Sequence, residues 1–143
     1  MTSGNEHQAI TEEQRNYAAN ALHSLPFAKL IGMRLADLNP GEATLTMEMR
    51  DDLQQPSGIL HGGVTATLID TAMAFAMRTL IPLDQNTATI DLTVHYLRPH
   101  LEGTIECTAK VVRAGKRIFT ISADVFGAEG KLIATAISTY TKV

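Results

Sequence analysis

Hydrophobic and polar residues alternate singly along much of this chain. Between positions 43 and 50, Ala43, Leu45, Met47 and Met49 fall on one side, and Thr44, Thr46, Glu48 and Arg50 on the other. That period of two predicts a half-buried strand. A shorter strand around Met33 to Leu38 pairs with it through the Asn39-Pro40-Gly41 turn. Four more alternating runs follow: Thr89 to Leu97, Thr104 to Arg113, Ile118 to Phe126 and Leu132 to Thr141. Ala114-Gly115-Lys116 and Gly127-Ala128-Glu129-Gly130 join the last three, and links this short predict an antiparallel meander.

Two segments have a helical period instead. From Thr11 to Leu25, the residues Tyr17, Ala18, Ala21, Leu22 and Leu25 recur at helical intervals, and Thr11 and Gln14 have the spacing of a capping box. Pro26 ends or redirects this helix, whose plainest role is packing. From Gly62 to Leu80, apolar residues (Val64, Ala66, Leu68, Ile69, Ala72, Met73, Phe75, Ala76, Met77) cover nearly the full circumference, the mark of a buried helix. One buried helix at about 62–80 and an antiparallel meander predict an α+β fold, with the sheet wrapped around the helix. Residues 1–30 form an N-terminal helical extension of a single domain spanning 1–143, since the sequence shows no repeat, linker or low-complexity tract.

Composition narrows the function. A net charge of -3 gives no reason to expect nucleic acid or an anionic membrane as partner. The longest apolar-rich stretch, Val64 to Leu83, contains Asp70 and Arg78, which a membrane span would exclude. Cys107 is the only cysteine, so no intrachain disulfide forms, and the polar N-terminus lacks the apolar core of a secretory signal. A cytoplasmic protein is expected.

The candidate chemistry lies around the buried helix. Asp70 sits mid-helix among Leu68, Ile69, Ala72 and Met73, where an aspartate has poor propensity and needs a partner if buried. It is either a catalytic carboxylate or an aspartate tied to a nearby Thr or a distant Arg. His61-Gly62-Gly63 opens the helix, and its free N–H groups would suit a developing oxyanion, aided by the helix dipole. The plainer reading of the glycines is a tight turn, and of His61 a cap. His61, His95 and His100 show no metal-ligand spacing.

The stretch QQPSGILHGGVTATLIDTAMAFA resembles the active-site segment of the hotdog thioesterases, in the branch of phenylacetyl-CoA and 4-hydroxybenzoyl-CoA thioesterases. Downstream, TIDLTVHYLRP resembles that family's central strand, and the likeness runs from about Ile31 to the C-terminus. The resemblance implies a hotdog fold and hydrolysis of an acyl-CoA to free acid and CoA, without cofactor or metal. It places the catalytic carboxylate on Asp70, the carbonyl-polarising N–H on Gly62 and an assisting side-chain amide on Gln55. It puts His61 and Gly63 beside the substrate, and Thr89 near the carboxylate and the substrate. Arg98, with Lys116 and Arg117, is a candidate CoA contact, and Met73, Phe75, Met77 and Phe27 are candidate pocket walls. Gly62 and Asp70 are eight residues apart, about 12 Å along one helix, too far for both to serve one carbonyl. Two helices antiparallel across a two-fold axis would solve this, and hotdog thioesterases form such dimers, often paired into tetramers. Whether Asp70 acts as base or nucleophile stays open. Two rivals remain: a hotdog hydratase or dehydratase, and a non-catalytic acyl-CoA-binding module.

Overall fold

The five alternating segments and the shorter strand expected around Met33 to Leu38 all become strands, in a computed structural model that describes residues 8–143. Residues 1–7 of the expected N-terminal extension lie outside the described residues. The strands are β1 (Arg34–Asn39), β2 (Glu42–Glu48), β3 (Thr87–Tyr96), β4 (Thr104–Ala114), β5 (Ile118–Phe126) and β6 (Leu132–Lys142). They form one antiparallel sheet in the order β1-β2-β4-β5-β6-β3. The expected meander is thus β4-β5-β6. Within one protomer β3, carried by the sequence that resembles a central strand, is an edge strand paired only with β6.

The first helix, α1 (Glu12–Ser24), starts at a complete capping box: Thr11 Oγ1 accepts from the Gln14 N–H, and Gln14 Oε1 accepts from the Thr11 N–H. Pro26 does not simply end the helical segment but begins another, α2 (Pro26–Ile31), where a proline at the first position loses no hydrogen bond. Six residues are too few to show a period, which is why the alternation gave no sign of α2.

The central helix, α3 (Gly62–Arg78), packs across β2, β4 and β5. A row of register partners running through the sheet, Ala43, Ala109, Ala123 and Ala136, is buried and small. Its lack of bulk leaves a trough for Leu68, Ile69, Met73 and Met77 of α3, all fully buried. The helix is not covered all round, however. Gly63, Ala66, Thr67, Asp70, Thr71 and Ala74 form a stripe that keeps partial solvent access. Asp70 is therefore half-buried rather than sealed in the core, because β3 crosses only part of that face.

Candidate active site

The entry to α3 is held from three sides. After a 3-10 turn at Asp51–Leu53, Gln54 and Leu60 form an isolated antiparallel bridge that closes the loop carrying Gln55. The Leu60 N–H donates to the His100 carbonyl (2.8 Å) and the His61 N–H to the Leu53 carbonyl (2.8 Å). His61 is the N-cap, and its Nδ1 accepts from the Gly63 N–H (2.9 Å). Tyr96, at the end of β3, donates its hydroxyl to the Gly62 carbonyl (2.7 Å). A Cβ on residue 62 would lie 3.2 Å from the Tyr96 ring, a crowded contact that glycine avoids. The peptide between Gly62 and Gly63 is thereby bonded at both ends. The preceding N–H, that of Gly62, has no partner among the described residues.

A cleft of about 450 Å³ opens beside that N–H, lined by Gln55, Ile59, Gly62, Tyr96, Arg98 and His100 among others. The Gln55 side-chain amide makes no hydrogen bond among the described residues, so both its donor and its acceptor are available to a ligand. Arg98 Nη1 donates to the Leu132 carbonyl (3.0 Å), which leaves its other donors at the cleft wall.

A second cluster sits two turns further along α3. Thr89 on β3 and Tyr140 on β6 are register partners, and both hydroxyls donate to Asp70 Oδ1, that of Thr89 at 2.8 Å. The Tyr140 hydroxyl also lies 2.6 Å from the Asp70 carbonyl, so its single proton is shared between two acceptors. Asp70 Oδ2 has no partner among the described residues. Tyr140 is 2% exposed; burial, and secondarily the Asp70 carboxylate, push its ionisation well above the ordinary tyrosine range, so it remains a donor.

The structure thus divides the expected site residues into two groups. Gln55, Gly62 and Arg98 meet around the cleft, His61 and Gly63 are bonded to each other on either side of Gly62 without lining it, and Asp70 and Thr89 meet at the other cluster. Lys116 and Arg117 are exposed at the β4–β5 turn; the register Ile118–Thr141–Ala88 puts that turn at the opposite end of the sheet from Arg98. Of the expected pocket walls, Met73, Phe75 and Met77 are buried in the core and Phe27 is exposed on α2, and none lines the cleft of the single chain. Tyr96, His100 and Tyr140 were not anticipated. A signal existed for Tyr140, which alternates in phase with Ala134, Ala136 and Ser138 on the buried side, where a phenol needs a polar partner.

An antiparallel sheet wrapped around one helix, with an unpaired N–H at the helix entry and an unpaired carboxylate oxygen mid-helix, is equipped for acyl transfer chemistry. Residues 57–134 match the family model described as the thioesterase superfamily, and the chain belongs to that family. It is a thioester hydrolase by that membership. It is similar to human acyl-coenzyme A thioesterase 13, at 29% identity over 131 residues, covering 88% of this chain and 91% of the relative. A Saccharolobus solfataricus protein bearing an esterase name is 30% identical over 110 residues, 77% of this chain and 73% of the relative. Among solved structures, a thioesterase family protein from Silicibacter pomeroyi superposes with a TM-score of 0.85 at 25% identity, covering 91% of this chain and 98% of that one. The hotdog architecture expected from the resemblance is the one present. No helix among the described residues is long and apolar enough to cross a membrane.

Proposed function

We propose that the protein hydrolyses acyl-CoA thioesters in sites shared between two copies of the chain. One copy contributes the Gly62 N–H and Gln55, and the other contributes Asp70. The observation that carries this reading is the division of the site: the unpaired N–H and the unpaired carboxylate oxygen lie about 12 Å apart along one helix. The likeness to acyl-coenzyme A thioesterase 13 supports acyl-CoA as the substrate class.

The free edge of β3 supports a second copy as the source of the missing half. It presents unpaired backbone groups, with Ile90 and Leu97 55% and 50% exposed beside them. Antiparallel pairing of two such edges about a two-fold axis would bring the Thr89 end of one strand to the Tyr96 end of the other. Asp70 of the second copy then faces Gly62 of the first. The same operation carries the second copy's Lys116–Arg117 turn toward the side of the cleft that holds Arg98.

In such a site the Gly62 N–H, with the helix dipole behind it, stabilises the oxyanion as the thioester carbonyl is attacked, and Gln55 orients the acyl group or shares that load. Asp70 deprotonates the attacking water, or attacks the carbonyl itself to form an anhydride that water then hydrolyses to free acid and Asp70, and in either case the CoA thiolate leaves as the C–S bond breaks. Asp70→Asn keeps the size and loses the base. It should retain fold and dimer while kcat falls by at least about 100-fold, the scale of general-base removal. CoA release from a panel of aromatic and aliphatic acyl-CoAs measures this, and near-normal turnover of every thioester cleaved by the wild type would refute the assignment.

A further inference from the structure

We infer that Tyr140 is a positioning residue for the Asp70 carboxylate, and that with Thr89 it decides which oxygen reacts: Oδ1 is held and Oδ2 is presented to the substrate. This rests on Asp70 being the base or nucleophile of the proposed hydrolysis. The two oxygens of a free carboxylate are equivalent, and rotation about the last torsion exchanges them. Here two hydroxyls from neighbouring strands converge on Oδ1, so exchanging the oxygens would break both bonds. The bonds come from separate elements of the fold. Asp70 is on α3, Thr89 on the edge strand β3 and Tyr140 on β6, 70 residues away in sequence.

The asymmetry has a chemical use. Donors to a carboxylate stabilise its charged form and weaken it as a base or nucleophile. Donors on both oxygens would hold Asp70 well but blunt it. Two donors on one oxygen hold the plane and leave the lone pairs of the other for the reaction. Nor is packing alone a reason for tyrosine at this position. Its hydroxyl is buried and finds acceptors only on Asp70, and a phenylalanine would fill the same space without a polar group to satisfy. The shared contact with the Asp70 carbonyl ties the phenol to the helix backbone and fixes its height along α3.

Among the described residues, Tyr140 is the titratable side chain bonded to Asp70. Asp91 on β3 accepts from the Thr139 N–H, and Lys142 on β6 lies over the Phe119 ring. Tyr140→Phe, Thr89→Val, Thr89→Ser and Asp70→Asn are compared as full-length proteins, for kcat and KM on an acyl-CoA that the wild type cleaves. Tyr140→Phe and Thr89→Val should each lower kcat by about 10-fold, at the low end of the contribution of a positioned acid–base group, with KM little changed. Thr89→Ser, which restores the hydroxyl, should restore kcat. A folded Tyr140→Phe with wild-type kcat, or one whose loss lies in KM alone, would overturn the inference. Should that variant not fold, a wild-type kcat in Thr89→Val would overturn it equally. An active Asp70→Asn refutes instead the role of Asp70 itself, and an inactive one beside an unaffected Tyr140→Phe refutes only the positioning.

Discussion

Mixing two inactive variants tests the division of the site directly. Asp70→Ala removes the carboxylate held by Thr89 and Tyr140, and Gln55→Ala removes the free amide at the cleft. Gln55 precedes the helix whose N–H it assists, so it travels with Gly62 on one copy, while the Asp70 serving that site comes from the other. In a dimer of one chain of each kind, one site keeps both residues and the other lacks both. Equimolar exchange at random makes about half of the dimers mixed, each with one intact site of two, so activity should climb from near zero to about a quarter of wild type. If instead each chain used its own Asp70 and Gln55, every site would carry one defect at any mixing ratio. CoA release is followed after subunit exchange at moderate denaturant, with mixed dimers quantified by native mass spectrometry. No recovery in a sample shown to contain mixed dimers would refute the shared site.

Gln55 and His61 should separate into chemistry and capping. Gln55→Ala should lower kcat by about 10–1000-fold if its amide helps the oxyanion, with unfolding midpoints unchanged. His61→Ala removes the acceptor of the Gly63 N–H and should cost about 1 kcal/mol of stability, seen as a lower urea midpoint. A His61 variant that is stable but as dead as Asp70→Asn would make His61 the base. Burial, and secondarily Asp124, push the Cys107 thiol up to about 12, so the folded state resists its ionisation. A folded value raised above the unfolded one means stability that is complete below about pH 8.5 and falls by up to about 1.4 kcal/mol per pH unit above it. Urea titrations between pH 8 and 10 should show this slope, flattened in Cys107→Ala, and an equal slope in both proteins would contradict it.

Much of this molecule is written in short-range pattern. Single alternation marks five of the six strands, because a strand with one face on a core must change side at each residue, and the Asn39-Pro40-Gly41 turn marks the sixth. Thr11 and Gln14 mark the start of α1, since the bonds of a capping box join residues three apart. The all-round apolar surface of residues 62–80 marks the central helix, and His61-Gly62-Gly63 with Asp70 marks where chemistry is concentrated. What the pattern cannot carry is which residue stands opposite which. Periodicity gives a side chain its face, but a partner 70 residues away is chosen by strand order and register. So the tertiary structure alone put Tyr140 on the same oxygen of Asp70 as Thr89, which the resemblance had already set near the carboxylate, and Tyr96 on the Gly62 carbonyl. It also turned Met73 and Met77 into an alanine trough, and left β3 at the edge of the protomer. Those outcomes follow from how the sheet pairs and curls, a cooperative property of the whole chain that no local segment encodes.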